Sequence, residues 1–175
     1  PNTNIILMKI SIIGCGQIGF RHFQSILELK NNHRIFLIDK SLSSINKCKE
    51  YFESNKKRGK IVSFHTDIES ITEKLEIVII ATNSFQRREE IGKVFKLHNP
   101  KHIILEKFLF PKLSDYKYCD DLFDSHDTKV WVNQWMGFEF KELKNFIYPS
   151  KNISFNVKGN NWGLCCNSVH YIDWF

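Results

Sequence analysis

Apolar and polar positions along this chain fall into a regular beat. The apolar run "IILMKISII" is followed by "QIGFRHFQSILELK", in which Ile18, Phe23, Ile26, Leu27 and Leu29 recur at helical spacing. "RIFLID" predicts a second strand, and "SLSSINKCKEYFE" a second helix with a serine placed to cap it. "KIVSFH" and the almost wholly apolar "EIVIIAT" predict two more strands. A helix over "SFQRREEIGKVFKLH" leads into the strand "KHIILE", and one over "PKLSDYKYCDDLFDSH" into "KVWVNQ". Strands apolar on both faces need cover on both sides, which parallel strands with helical crossovers supply. The expected fold is therefore α/β, a doubly wound parallel sheet over residues 1–134. Residues 135–175 read as a helix ("MGFEFKELKNFIY"), a strand ("NISFNVKG") and a helix ("NSVHYIDWF"). That is too little for a domain, and is expected to be the beginning of a truncated α+β domain.

Composition narrows the class without changing the fold. Of 175 residues, 42% are hydrophobic and 25% charged, enough for a real core. No apolar stretch reaches the roughly 18–20 residues of a membrane span. The start "PNTNIILMKISII" lacks the basic and cleavage regions of a signal peptide, and Met8 is a candidate natural start. A cytoplasmic protein with no membrane partner is expected. The five cysteines (Cys15, Cys48, Cys119, Cys165, Cys166) are odd in number, form no CxxC pair and read as reduced thiols. The net charge of +6 raises the question of nucleic acid. The one dense basic run, "NKKRGK", has no aromatic platform or zinc finger beside it. It reads as a solvated loop, and no nucleic-acid partner is expected.

The chemistry begins at "GCGQIGFRH". Between a strand and a helix, Gly14 would permit a tight turn, Gly16 a close approach of backbone to a pyrophosphate, and Gly19 close packing of helix on sheet. The helix N-terminus supplies N–H groups for the anion. Asp39 closes the second predicted strand, where a carboxylate accepts ribose hydroxyls and repels a 2′-phosphate. This describes a Rossmann dinucleotide-binding domain for NAD, with Lys40 and Ser41 leaving NADP open. Other ligand contacts are expected in the loop, at Gln17 and Ile18, and beyond the carboxyl ends of later strands, at Thr82, Asn83, Glu106 and Gln134. The competing reading is a plain turn followed by an acid that caps the next helix.

Four features in order carry a resemblance: the glycine loop with His22 after it, "ATN", "EKF", and the terminal "HYID". With them the chain resembles the Gfo/Idh/MocA family of NAD(P)-dependent oxidoreductases, which act mainly on sugars and related polyols. The resemblance implies reversible hydride transfer between a nicotinamide and a secondary alcohol. Lys107, from the family's EKP, would hold and polarise the substrate oxygen, and His170 would serve as acid and base. The chemistry also wants a cation beside a developing alkoxide and a group titrating near neutrality. Substrate contacts are expected at Lys107, Trp162, Cys166, Asn167 and His170, with a sugar-type small molecule as partner.

The departures from the family pattern are specific. Cys166 stands where an aspartate often precedes the histidine by one helical turn, and Phe108 and Asn83 replace the prolines of EKP and ATP. A histidine expected after ATP falls near Arg87, and an arginine after the sixth strand is replaced by Trp135 or Met136. Cys166 and His170 share a helix face, but two ligands do not make a metal site, and a Cys–His nucleophile would lack an orienting third group. His65, His98, His102 and His126 are scattered, so no metal is expected. Family members continue past "HYID" into an open sheet, so the chain reads as a fragment or as a short form that borrows a wall. Tyr171, Trp174 and Phe175 would leave an apolar patch, and a homo-oligomer is expected for a full-length form. A non-catalytic NAD(H)-binding module remains the alternative to an enzyme.

Overall fold

The computed structural model describes residues 7–55, 59–134, 154, 156–161 and 163–174; the side chains of 164–166 and 173–174 are not among them. Two compact units divide the chain, Pro1–Val132 and Asn133–Phe175.

The first unit carries six strands: β1 (Met8–Ile13), β2 (His33–Ile38), β3 (Lys60–His65), β4 (Ile77–Ile80), β5 (His102–Leu105) and β6 (Lys129–Val132). All pair in parallel in the order β3-β2-β1-β4-β5-β6. Four helices join them: α1 (Gln17–Glu28), α2 (Leu42–Ser54), α3 (Ser84–Leu97) and α4 (Leu113–Ser125). This is the doubly wound Rossmann order, whose switch point lies between β1 and β4.

Alternation along the central strands shows why their runs are largely apolar, with the buried Ser11 of β1 an exception. Ile10 and Ile12 of β1, Ile35 and Leu37 of β2 and Ile79 of β4 join one core with Phe23, Ile26 and Leu27 of α1 and Ile45 and Cys48 of α2. Their neighbours Ile13, Phe36, Ile38, Val78 and Ile80 face the opposite core, with Ile91, Val94 and Phe95 of α3 and Cys119 of α4. Each such side chain contributes about 1.5–3 kcal/mol when fully buried. A polar residue on either face would forfeit that gain, so a strand with two covered faces shows no polar stripe.

Ser41 caps α2 by accepting from Ser44 N, and Asn83 caps α3 by accepting from Gln86 N. No side chain caps α1, whose N-cap is Gly16. The strands are shorter than the apolar runs, so Asp39, Thr82 and Glu106 lie just past the ends of β2, β4 and β5.

In the second unit α5 (Leu164–Trp174) begins before the start expected at Asn167. Of the strand expected over 152–159, the described residues, Ser154 and 156–159, are irregular and pair with no strand among the described residues; 152, 153 and 155 lie outside them. The helix expected over 136–148, most of the second unit, and Trp162 lie outside the described residues.

Candidate functional site

The carboxyl ends of β1, β2 and β4 converge on a cleft of about 360 Å³. Its lining comprises Ile13, Gly14, Gly16, residues 38–41, 66–69 and 81–83, and Gln86, Glu90 and Lys93 of α3. Gly14, Gly16, Asp39, Thr82 and Asn83 are thereby brought together. Gln17 and Ile18 are exposed on the first turn of α1, outside this lining.

Each glycine has a distinct reason. Gly14 has φ +90°, and a Cβ there would stand 2.9 Å from the Ala81 carbonyl carbon and Thr82 N. Gly14 N donates to Ile38 O at 2.8 Å, so the turn is anchored to β2. A Cβ on Gly19 would fall 1.7 Å from Gly14 O, so only glycine lets α1 lie against the loop. A Cβ on Gly16 would meet nothing within 4 Å. That open side faces the cleft beside the uncapped N-terminus of α1, the arrangement an anion needs.

Asp39 lies one residue beyond β2 and its two oxygens are both engaged. Oδ2 accepts from Cys15 N at 2.6 Å and Oδ1 from Ser41 N at 2.8 Å. A carboxylate has about four acceptor positions, so each oxygen can still take a ribose hydroxyl. The cap of α2 is Ser41, whose Oγ accepts from Ser44 N at 3.3 Å. Lys40 Nζ lies 3.3 Å from Glu90 Oε1. Asp67, Glu69 and Glu90 add acid to the same rim, which disfavours a 2′-phosphate. Thr82 Oγ1 is buried in the cleft wall without a hydrogen-bond partner among the described residues. An open glycine face, an acceptor-rich acid and an orphaned hydroxyl fit a dinucleotide.

Asn83 both lines the cleft and caps α3, its amide nitrogen donating to Gln86 Oε1 at 3.0 Å. Glu106 lies apart from this lining, 6% exposed past β5, where its Oε1 meets His22 Nε2 at 2.6 Å. Lys107 follows it, partly exposed, and its peptide bond to Phe108 is cis. His22 and Arg87 were not among the expected ligand contacts. Arg87, 1% exposed, bonds the backbone around Thr82 and Glu106, and burial pushes it down to about 10. Neither pairing has a local signal: His22 and Glu106 are 84 residues apart.

Of the thiols described, Cys15, Cys48 and Cys119 are free and buried. A hydrogen bond with Cys48 and burial push the Cys15 thiol up, and burial pushes Cys119 up to about 11. Cys15 and Cys119 therefore pack rather than react, while the hydrogen bond with Cys15 pushes Cys48 down.

Within the second unit His170 is 4% exposed, and its Nδ1 meets Gln134 Oε1. Gln134 Nε2 donates to Val169 O at 3.3 Å. A carbonyl can only accept, so the amide nitrogen faces Val169 and its oxygen faces the ring. His170 Nδ1 therefore carries a proton, donated to Gln134 Oε1. Asn167 stands in the same helix, its N–H donating to Gly163 O at 3.0 Å. The Cys166 side chain lies outside the described residues. Among the described residues no group of three His, Cys, Asp or Glu could hold a metal ion, and no helix is long and apolar enough to cross a membrane.

A family model described as an oxidoreductase family with an NAD-binding Rossmann fold (GFO_IDH_MocA) matches residues 8–134. Among curated proteins no relative matches. An oxidoreductase from Bacillus cereus is similar over 95% of this chain and 51% of its own, with TM-score 0.70 and 17% identity. The WlbA dehydrogenase from Chromobacterium violaceum, in complex with NADH and UDP-GlcNAcA, is similar over 85% of this chain and 41% of its own (TM-score 0.66, 16% identity). An oxidoreductase from Agrobacterium radiobacter, in complex with NAD+, L-tartaric acid and magnesium, is similar over 81% and 40% (TM-score 0.64, 17% identity). At these identities the likeness is one of fold. The chain spans about 40–51% of the length of these structures.

Proposed function

The chain belongs to the Gfo/Idh/MocA family of NAD-binding Rossmann oxidoreductases, and on that premise we propose that the whole protein transfers a hydride between NAD(H) and a secondary alcohol of a sugar, polyol or nucleotide sugar. The observation that carries this reading is the cleft in which the open face of Gly16, the half-used carboxylate of Asp39 and the orphaned Thr82 hydroxyl meet. Bound NAD(H) supplies a hydride acceptor or donor at C4 of the nicotinamide. The N-terminus of α1 holds the pyrophosphate and Asp39 the adenosine ribose, while Asp39 disfavours NADPH. Thr82, Asn83 and Glu106 border the nicotinamide half.

Lys107 holds the substrate hydroxyl and stabilises its alkoxide character. His170, whose ring is oriented by Gln134, takes the hydroxyl proton in the oxidising direction and returns it in the reducing one. Two neighbours crystallised with hydroxylated acids, UDP-GlcNAcA and L-tartaric acid, support a polyhydroxylated substrate. Trp162, Cys166 and Asn167 complete the substrate contacts in this reading, and the protein is a cytoplasmic homo-oligomer with its domain boundary near residue 134. One departure favours a second reading, a non-catalytic NAD(H) module: Cys166 stands where a carboxylate would assist His170.

Titration with NADH and NADPH, followed by tryptophan quenching, tests the cofactor half. Turnover of a sugar panel by the full-length protein and its Lys107→Ala variant tests the chemistry. Tighter NADH than NADPH binding, with turnover lost in the variant, is expected. NADH binding without turnover by the full-length protein would favour the module, and binding of neither nucleotide would sink both readings.

A further inference from the structure

The buried cation in the first turn of α3 has a role in the same site. Arg87 Nη1 donates to the carbonyls of Glu106 and Phe108 and, at 3.0 Å, to that of Leu109. Its Nη2 donates to Thr82 O at 2.5 Å. One guanidinium thus gathers four carbonyls from two segments that are distant in sequence, the turn after β4 and the turn after β5. Past the ends of these strands the ladder continues in one long bond, Glu106 N to Ile80 O at 3.3 Å. The negative charge of Glu106 favours the cation, and Glu106 is itself bonded to His22 of α1.

A dinucleotide with its pyrophosphate at Gly16 and its adenosine ribose at Asp39 must run its other half across the ends of β4 and β5. Those are the two segments that Arg87 ties together. We propose that Arg87 is the positioning residue for the nicotinamide end of the cofactor site, fixing the turn that carries Glu106 and Lys107 against the turn that carries Thr82. This rests on the dinucleotide reading of the cleft. The planar trans peptide explains how it works: a carbonyl aimed at the guanidinium turns the next N–H the opposite way. Collecting the Glu106 and Phe108 carbonyls therefore aims the Lys107 and Leu109 N–H groups away from Arg87. A histidine, which the family pattern has near this position, could not reach four carbonyls with one ring. A lysine offers a compact ammonium rather than a planar fork, and would not span both turns.

The test compares NADH with ADP, which shares the adenosine diphosphate half and lacks the nicotinamide. The wild-type chain, Arg87→Lys and Arg87→Met are titrated with both. The ADP dissociation constant should stay within about twofold, while the preference for NADH over ADP falls about tenfold, the scale of one charge-assisted hydrogen bond. Parallel weakening of both ligands, or an unchanged preference, would overturn the role. So would a wild type that binds ADP as tightly as NADH. A wild type that binds neither overturns the cofactor reading itself and this role with it. Because the methionine variant leaves buried carbonyls unpaired and can fail to fold, hydrogen exchange is read on the lysine variant as well. Amides 107–110 should exchange faster than in wild type while those of β1 do not change; equal rates at 107–110 would overturn the proposal.

Discussion

Replacing Gly19 by alanine would build a methyl group 1.7 Å from Gly14 O, 2.8 Å from Gly14 C and 3.4 Å from Ala81 Cβ. Overpacking costs about 1–3 kcal/mol where side chains can move aside. Here the struck atom is backbone, in a turn anchored to Ile38 O, so the upper figure applies and Gly19→Ala should lose about 3 kcal/mol or more. For a chain of this size roughly 2–4 °C of melting temperature accompanies each kcal/mol, which gives a fall of about 6–12 °C. The same substitution at Gly16 is a control with the opposite signature. Its φ of −63° suits any residue, and nothing stands within 4 Å of the added carbon. Exchanging glycine for alanine at an N-cap costs at most about 1 kcal/mol, so Gly16→Ala should melt within about 4 °C of wild type. Its methyl would, however, enter the space through which a pyrophosphate approaches the α1 N–H groups, and NADH affinity should fall at least about tenfold. Calorimetric melting and NADH fluorescence titration separate the two effects. Wild-type NADH affinity in Gly16→Ala would refute the cradle, and wild-type melting in Gly19→Ala would refute the packing argument.

Two further outcomes follow from side chains at the rim and in the core. Asp39→Ser removes the charge that opposes a 2′-phosphate, so the ratio of NADPH to NADH dissociation constants should shrink by about tenfold, the scale of one charged contact; an unchanged ratio in paired titrations would count against Asp39 as the discriminating residue. Burial lowers His33 and His98 below the usual histidine value near 6.5. Below that value the unfolded chain binds more protons than the native one, so stability is full above pH 6.5 and declines as pH falls toward the lowered native values. Urea midpoints measured from pH 8 to 5 should drop through that window, less so in His98→Gln; a flat profile in the wild type would contradict it.

The sheet was legible because its central strands β1, β2 and β4 are buried on both faces, so the runs around Ile12, Leu37 and Ile79 needed no partner to be recognised. Their ends were less so. The expected strands ran on through Ala81 and Thr82 and through Glu106, whereas pairing stops at Ile80 and Leu105, and periodicity over one or two residues cannot fix a strand end. The glycine loop and Asp39 were readable because each demands one residue type at one backbone position. That Asp39 Oδ2 also holds Cys15 N was not, since it depends on two loops meeting in space. The Arg87 clamp was hidden for a related reason: its four acceptors are carbonyls, which every residue has. At Ser154 and 156–159 the expected strand is irregular, because alternation is a signal only where a sheet edge is at hand, and none pairs with them among the described residues.

The strand order has a consequence for synthesis on the ribosome. β1 lies at the centre of the sheet, yet one of its two neighbours is made much later: Ile10 pairs with Ile35 on one side and with Ile77 on the other. As the chain emerges at about 5–20 residues per second, β3 (Lys60–His65) precedes β4 (Ile77–Ile80) by about 1–3 s, and β1, β2 and β3 can assemble in that time. During that interval the edge of β1 that awaits β4 exposes unpaired backbone on a strand with apolar residues on both faces, the kind of edge that recruits foreign strands. The half-made protein is therefore the aggregation-prone species. Whatever slows translation between β3 and β4, or cuts the chain there, prolongs its exposure, and completion of β4 ends it.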